Sequence, residues 1–221
     1  MHPLRVQRRL VPELLDSLPP DHPDALHSRR DLRVINRVMG NAPWFRTALT
    51  SRMRPGERVI ELGSGTGELA AVLRPIAPLF DSIDRVPRPP AWPADARWHQ
   101  ADIQTFTEWN DYPVVIGNLI LHHFDDDALR TLGAAISPHA RLLIFSEPTR
   151  KHFNQWIWNV AAPLGGANHV TRHDGRVSIA AGFRHDELPR VLGLDPALWR
   201  WTITNSWLGA YRLIAERREL S

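Results

Sequence analysis

Apolar positions along the 221-residue chain change their period several times, and each change marks a different element. From Val6 to Leu18 they recur at helical spacing across Pro12 and stop at the breaker run LPPDHPDA, which predicts a short leading helix or pair of turns. A second helix is expected to start from Ser28 as its cap, carry Leu32, Ile35, Val38 and Met39 on one face, and end near Gly40-Asn41. A third is predicted from Trp44 to Arg52. After Arg54-Pro55-Gly56 the pattern becomes VIELGSGTGELAAVLRPI, which reads as strand, glycine turn and helix. Apolar runs at 79–84, 112–121 and 139–147 predict further strands, and RWHQADIQTF a short one ending near Ala101-Asp102.

This alternation predicts an α/β fold: a Rossmann-like, doubly wound, mostly parallel seven-stranded sheet covered by helices on both faces. The proline-rich stretch RVPRPPAWPAD after Asp84 leaves little room for a helix between the second and third strands. Residues 150–185 have no simple period and are expected to form a helix followed by a loop or lid, with the Asp-Gly of HDG at 173–175 supplying a turn. A helix from His185 to Leu192 and two strand-like runs, WTITNSW and GAYRLIAER, close the chain as an antiparallel hairpin. The implied organisation is a helical cap segment over 1–53 and a main domain over 54–221 with a cap insertion at about 150–185.

Composition narrows the chemistry. The chain has no cysteine, which excludes disulfide frameworks, thiolate metal sites and cysteine nucleophiles and fits a reducing, cytoplasmic setting. The formal charge is +3, with arginine supplying every basic side chain except Lys151, and no block of like charges marks a nucleic-acid arm. No apolar stretch is long enough for a spanning helix.

The chemical signal is Glu61-Leu62-Gly63-Ser64-Gly65-Thr66-Gly67 at the end of the first strand. Glycines permit a tight turn and bring backbone N–H groups close to a ligand at a helix N-terminus. Position 68 is Glu, where a dinucleotide fingerprint needs glycine, and the Lys-Ser/Thr pair of a P-loop is missing. A carboxylate ahead of the glycines repels pyrophosphate and attracts an ammonium group, so the expected ligand is a nucleoside with a cationic tail.

At these residues the chain resembles the class I S-adenosylmethionine-dependent methyltransferases, whose first motif is an acidic residue followed by alternating glycines. The resemblance extends over roughly 55–147. Asp84 follows Glu61 by 23 positions, where the family carries a carboxylate for the ribose hydroxyls. Asp102, 18 positions further, and Ile103 match the adenine-contacting motif, and Asn118 to Phe124 match a fourth motif that ends in His-His-Phe in many small-molecule members. The resemblance thus implies S-adenosyl-L-methionine as cofactor, held by Glu61, Gly63, Ser64, Gly65, Gly67, Asp84, Asp102, Ile103 and Asn118, and a small aromatic or lipid-like acceptor such as a quinone, polyketide or other secondary metabolite.

His122 and His123 leave the carboxyl end of a central strand, where a neutral imidazole can take a proton from an acceptor hydroxyl. Neighbouring strand residues point oppositely, so at most one of the two is expected to face the acceptor. No metal site is expected, because the histidines are adjacent and no HExxH pair exists. Trp44, with Arg33, Asn36 and Asn41, and the cap residues Trp156, Trp158 and His173 are the candidate acceptor-lining side chains. Competing readings are an RNA or ribosome methyltransferase, suggested by the arginine bias, and a non-catalytic scaffold that keeps the fold.

Overall fold

Strand β1 (Val59–Leu62) is buried along its whole length, and its side chains divide between two cores by strict alternation. The computed structural model of the chain describes residues 7–19 and 21–219; Val6, where the first helix is expected to begin, lies outside them. Ile60 and Leu62 join one core, with Val115, Leu143 and Phe145 from neighbouring strands, and Val59 joins the other with Val114, Ile116, Leu142 and Ile144. A sheet apolar on both faces needs cover on both, which is why helices flank it.

In chain order the elements are α1 (Leu14–Ser17), α2 (Pro23–Val38), α3 (Asn41–Thr50), β1, α4 (Glu68–Leu73), β2 (Phe80–Asp84), β3 (Trp98–Gln100), β4 (Val114–Asn118), α5 (Asp126–Ile136), β5 (Leu142–Pro148), α6 (His152–Leu164), α7 (His169–Ala181), α8 (Glu187–Val191), β6 (Trp199–Asn205) and β7 (Ala210–Arg217). Single 3₁₀ turns stand at Trp109–Asp111 and Leu121–His123. The sheet order is β3-β2-β1-β4-β5-β7-β6. Strands β1 to β5 pair in parallel; β7 enters antiparallel between β5 and β6 and forms a hairpin with β6. The chain runs outward from β1 through β2 and β3, then returns to β4 on the other side, so the switch point lies between β1 and β4.

Four expectations change. Helix α2 starts earlier than Ser28, because His22 Nδ1 accepts the Asp24 N–H and Pro23 suits the first helical position. Ser28 instead lies buried inside the helix, where it accepts a hydrogen bond from Thr171. Residues 150–185 form two packed helices and not a helix with a loop; they are divided at Gly165-Gly166. HDG lies inside α7 and makes no turn: a Cβ on Gly175 would sit 2.2 Å from the Trp158 ring, so this glycine admits the indole of α6. Finally, His122 and His123 belong to a 3₁₀ turn beyond the strand, so the alternation argued for them does not apply.

The stretch between β2 and β3 has no helix among its described residues, as its prolines lead one to expect. Trp92 from that loop enters the core beside α3 and α4, donates from Nε1 to Ala96 O at 3.0 Å, and lies so close to Gly67 that a Cβ there would meet its ring at 3.0 Å.

Candidate functional site

The glycine turn between β1 and α4 folds as it does because Gly63, Gly65 and Gly67 all adopt positive φ. Gly63 has a second constraint, since a Cβ there would fall 2.6 Å from the Ile120 side chain of the facing loop. A Cβ on Gly65 would meet nothing within 4 Å, and its backbone N–H donates to Asp84 Oδ2 at 2.7 Å. Asp84 Oδ1 accepts the Val86 N–H at 3.0 Å, so one carboxylate at the end of β2 ties its own loop to the glycine turn.

Glu61 lies beneath this turn, 3% exposed, and its Oε2 has no hydrogen-bond partner in the described structure. Burial pushes its carboxyl up to about 8; the Ser64 hydroxyl opposes this and the nearby Asp84 charge adds to it. A buried carboxyl with an unused oxygen at a glycine turn has the donor set for a cationic ligand. Asp102 accepts the Gln104 N–H at 2.9 Å and pairs with Arg85, while Ile103 is buried against the core on the α5 side.

Two polar networks emerge from opposite faces of the strand ends. On the α3 side, Asn118 Oδ1 accepts from Asn41 Nδ2 at 2.9 Å and Asn118 Nδ2 donates to Asn36 Oδ1 at 3.0 Å. Asn41 Oδ1 in turn accepts from Ser146 Oγ at 3.1 Å, which fastens α2 and α3 across the carboxyl edge of the sheet. Leu119, next in the chain, has φ 56, a left-handed conformation that a branched residue adopts only when its surroundings hold it there. Trp44 packs on the core of this side with the Arg212 guanidinium 5.1 Å from its ring centroid.

On the other face Glu147 is fully buried and accepts from the backbone N–H groups of Ile120 (3.1 Å), Leu121 (2.9 Å) and His122 (3.3 Å). It also binds His122 Nδ1 at 2.7 Å. That leaves His122 Nε2 facing Glu13 Oε1 at 3.7 Å. An unprotonated nitrogen would set lone pair against carboxylate, so a proton sits there: burial works against the cation, but Glu13 and Glu147 outweigh it and raise His122 to about 9. The neighbouring His123 is moved the other way, by desolvation first and by the His122 charge second, with ring centroids 4.2 Å apart. Its residue surface is nevertheless exposed at one side, so water and small molecules reach it.

Glu13 is the functional residue that sequence reasoning misses. It arrives from the N-terminal arm, which Arg8 anchors by hydrogen bonds to Ala181 O and Phe124 O, both 2.8 Å, and by an ion pair to Asp126. Asp174 accepts the Leu14 and Leu15 N–H groups at 2.7 and 3.0 Å and so seats α1. Glu13, His122 and His123 bring ligand-type atoms within 4.8 Å of one another, a set of metal donors, and an ion there would have to displace the proton that Glu13 and Glu147 favour on His122.

The cap candidates separate. His173 Nδ1 contacts Asp174 Oδ1 at 3.0 Å at the base of α1, whereas Trp156 is 54% exposed on the outer side of α6 and is not brought to the other candidates. Trp158 turns inward and donates to Arg172 O at 3.2 Å.

With this geometry in view, the comparisons identify the family. The model of the Methyltransferase domain family matches residues 12–181. The chain belongs to that family. Among solved structures, the plantazolicin methyltransferase BpumL, in complex with a triazolic desmethylPZN analog and SAH, is similar over 93% of each chain at 10% identity, with a TM-score of 0.71. The magnesium protoporphyrin IX methyltransferase from Synechocystis PCC 6803 with bound SAH matches 86% of each chain at 19% identity and TM-score 0.55. The pyocyanin biosynthetic protein PhzM matches 90% of this chain and 60% of its own at 16% identity and TM-score 0.54. No curated protein sequence matches. The structural likenesses establish the fold: a class I methyltransferase sheet with its antiparallel final strand.

Proposed function

We propose that the protein is an S-adenosyl-L-methionine-dependent methyltransferase of the cytoplasm that methylates a small aromatic or lipid-like acceptor of secondary metabolism. The observation that carries the cofactor assignment is the pair Glu61 and Asp84 at the glycine turn. One is a buried carboxyl with an unused oxygen, suited to the cationic methionine end; the other is a two-oxygen acceptor suited to a vicinal diol. Gly63, Ser64, Gly65 and Gly67 line the turn, Asp102 and Ile103 are assigned to the adenine, and Asn118 to the methionine side. When bound, the cofactor supplies a methyl group already activated on a sulfonium, so the chain's own task is to orient the acceptor and exclude water.

His123 is the base in this reading and His122 is not. An imidazolium clamped between two carboxylates has no site for another proton, whereas the neutral imidazole beside it can take one from an acceptor hydroxyl. Trp44 is assigned to the acceptor wall from α3 and His173 to the α7 side; Trp156, on the outer side of α6, is given no part in the acceptor wall. His123→Ala is expected to lower kcat by about 10²- to 10⁴-fold with SAH affinity unchanged. Methyl transfer to a panel of phenols and hydroquinones measures this, and full activity in the variant would remove His123 as base.

Arginine placement speaks against an RNA substrate. Arg54, Arg141, Arg200, Arg217 and Arg218 line a cleft of about 360 Å³ with Glu216 and Glu219 at the amino edge of the parallel strands, away from the glycine turn. Three of them pair there with acids, Arg54 with Glu219, Arg141 with Glu57 and Arg200 with Glu216, and Arg217 and Arg218 donate to the backbone carbonyls of Pro138 and Pro196. A paired, remote cluster is a poor phosphate track.

Calorimetric titration with SAH tests the assignment. The wild type is expected to bind, and Asp84→Ala to bind at least about tenfold more weakly while keeping its circular dichroism, since the ribose hydroxyls lose their charged acceptor. A folded wild type that does not bind SAH would overturn the enzyme reading in favour of a scaffold.

A further inference from the structure

Helix α6 carries no Asp, Glu, Lys or Arg, and one of its faces is left exposed by the described residues. Phe153, Trp156, Val160 and Leu164 recur at steps of three and four, a single helical stripe, and are 61%, 54%, 45% and 84% exposed. The opposite side is engaged, with Ala162 buried and Trp158 fitted over Gly175 of α7, and on the flank between the two sides Asn159 accepts from Arg176. At the amino end of the helix, Asn154 packs on Gly209 in the β6–β7 turn. That turn carries Trp207, 78% exposed.

Charge selects what covers this stripe. Between Glu147 and Asp174 the chain has no acidic residue, although it has Arg150, Lys151 and Arg172 and three histidines. Of the cations, Arg150 is buried, while Lys151 at the helix start and Arg176 along its flank are exposed. Asp174 is buried and committed to the N–H groups of α1, so it does not offset them. Asp24 and Asp31, the acids that reach this region from α2, are engaged by His169, Asn168 and Thr171. A second copy applied face to face would set these cations against themselves with no acid to meet them. An aromatic and aliphatic stripe with a cationic border is the arrangement of a helix that lies in the interfacial plane of an anionic bilayer, with Trp at the headgroup level.

We propose that the outer face of α6, together with Trp207, docks the protein peripherally on an anionic lipid surface. Docking there is not insertion: among the described residues no helix is long and apolar enough to cross a membrane. The apolar side chains supply the contact area, and Lys151 and Arg176 supply preference for anionic lipid and sensitivity to salt.

The test is vesicle co-sedimentation of the full chain with phosphatidylcholine alone and with phosphatidylcholine mixed with phosphatidylglycerol. Wild type is expected to bind the mixed vesicles at least about tenfold more strongly, a preference two interfacial cations provide, and to be released by salt. Phe153→Ser with Leu164→Ser is expected to abolish sedimentation, and Lys151→Glu to remove the lipid preference. Circular dichroism of each variant reports retained fold and SAH titration reports the cofactor site, so the docking surface and the cofactor assignment fail independently. Wild type that stays in the supernatant, that sediments equally with both vesicles, or that is unaffected by the double substitution overturns the proposal. So does a lipid-free dimer, seen by ultracentrifugation, that the double substitution dissociates, because a second copy then covers the face.

Discussion

Glu147→Ala is expected to cost about 3–5 kcal/mol of folding stability, the range for breaking a buried charged pair. The carboxylate is fully buried and satisfies three consecutive backbone N–H groups of the Ile120–His122 turn as well as His122 Nδ1. Alanine would orphan all four donors at once, and the imidazolium would keep only Glu13. Glu147→Gln keeps the shape and one acceptor oxygen, so a smaller loss is expected. Urea denaturation at pH 7 measures both.

The same pair has a pH signature. His122 is raised in the folded state, from an ordinary value of 6.5 to about 9, so its stabilisation is fully present below about 6.5 and is lost as pH rises through 9. Wild-type stability is therefore expected to fall across that window, and the slope to flatten in Glu147→Ala. A slope that persists unchanged in the variant would show that His122 is not held by Glu147.

The sheet and the glycine turn were legible in the sequence because their causes are local. Val114 to Ile116 and Leu142 to Phe145 are apolar without interruption, as strands covered on both faces must be, and Val59 to Leu62 is broken only by Glu61. The spacing from Glu61 to Asp84 is one βαβ step, so both carboxylates arrive at one edge of the sheet. What escaped depends on partners distant in the chain. Glu13 looks like one more acid in a polar leader until Arg8 and Asp174 seat the arm beside His122. Gly175 reads as a turn until Trp158 is found against it. The 150–185 segment lacks a clean period because α6 buries one apolar side against α7 and exposes another, which leaves no polar face to mark the phase.

The cofactor site makes a prediction of comparable size, because Glu61 changes its proton when a cation arrives. Raised to about 8 in the free protein, its carboxyl is mostly neutral at pH 7, and a ligand carrying sulfonium and ammonium charges favours the ionised form. Binding then releases close to one proton. If the bound carboxyl returns to near the ordinary value of 4.5, affinity for S-adenosylmethionine should rise about twentyfold between pH 6 and pH 7.5 and level off above about 8. Calorimetry in two buffers of different ionisation enthalpy counts the proton directly. Glu61→Gln should bind more weakly at pH 7.5, release no proton and show no such rise. The variant should also gain stability at alkaline pH when ligand-free, since a carboxyl raised by burial favours the folded state only below its ordinary value and opposes it as pH climbs toward 8. A pH-independent affinity in the wild type would mean that Glu61 stays neutral in the complex and that the cationic end of the cofactor is held by other groups.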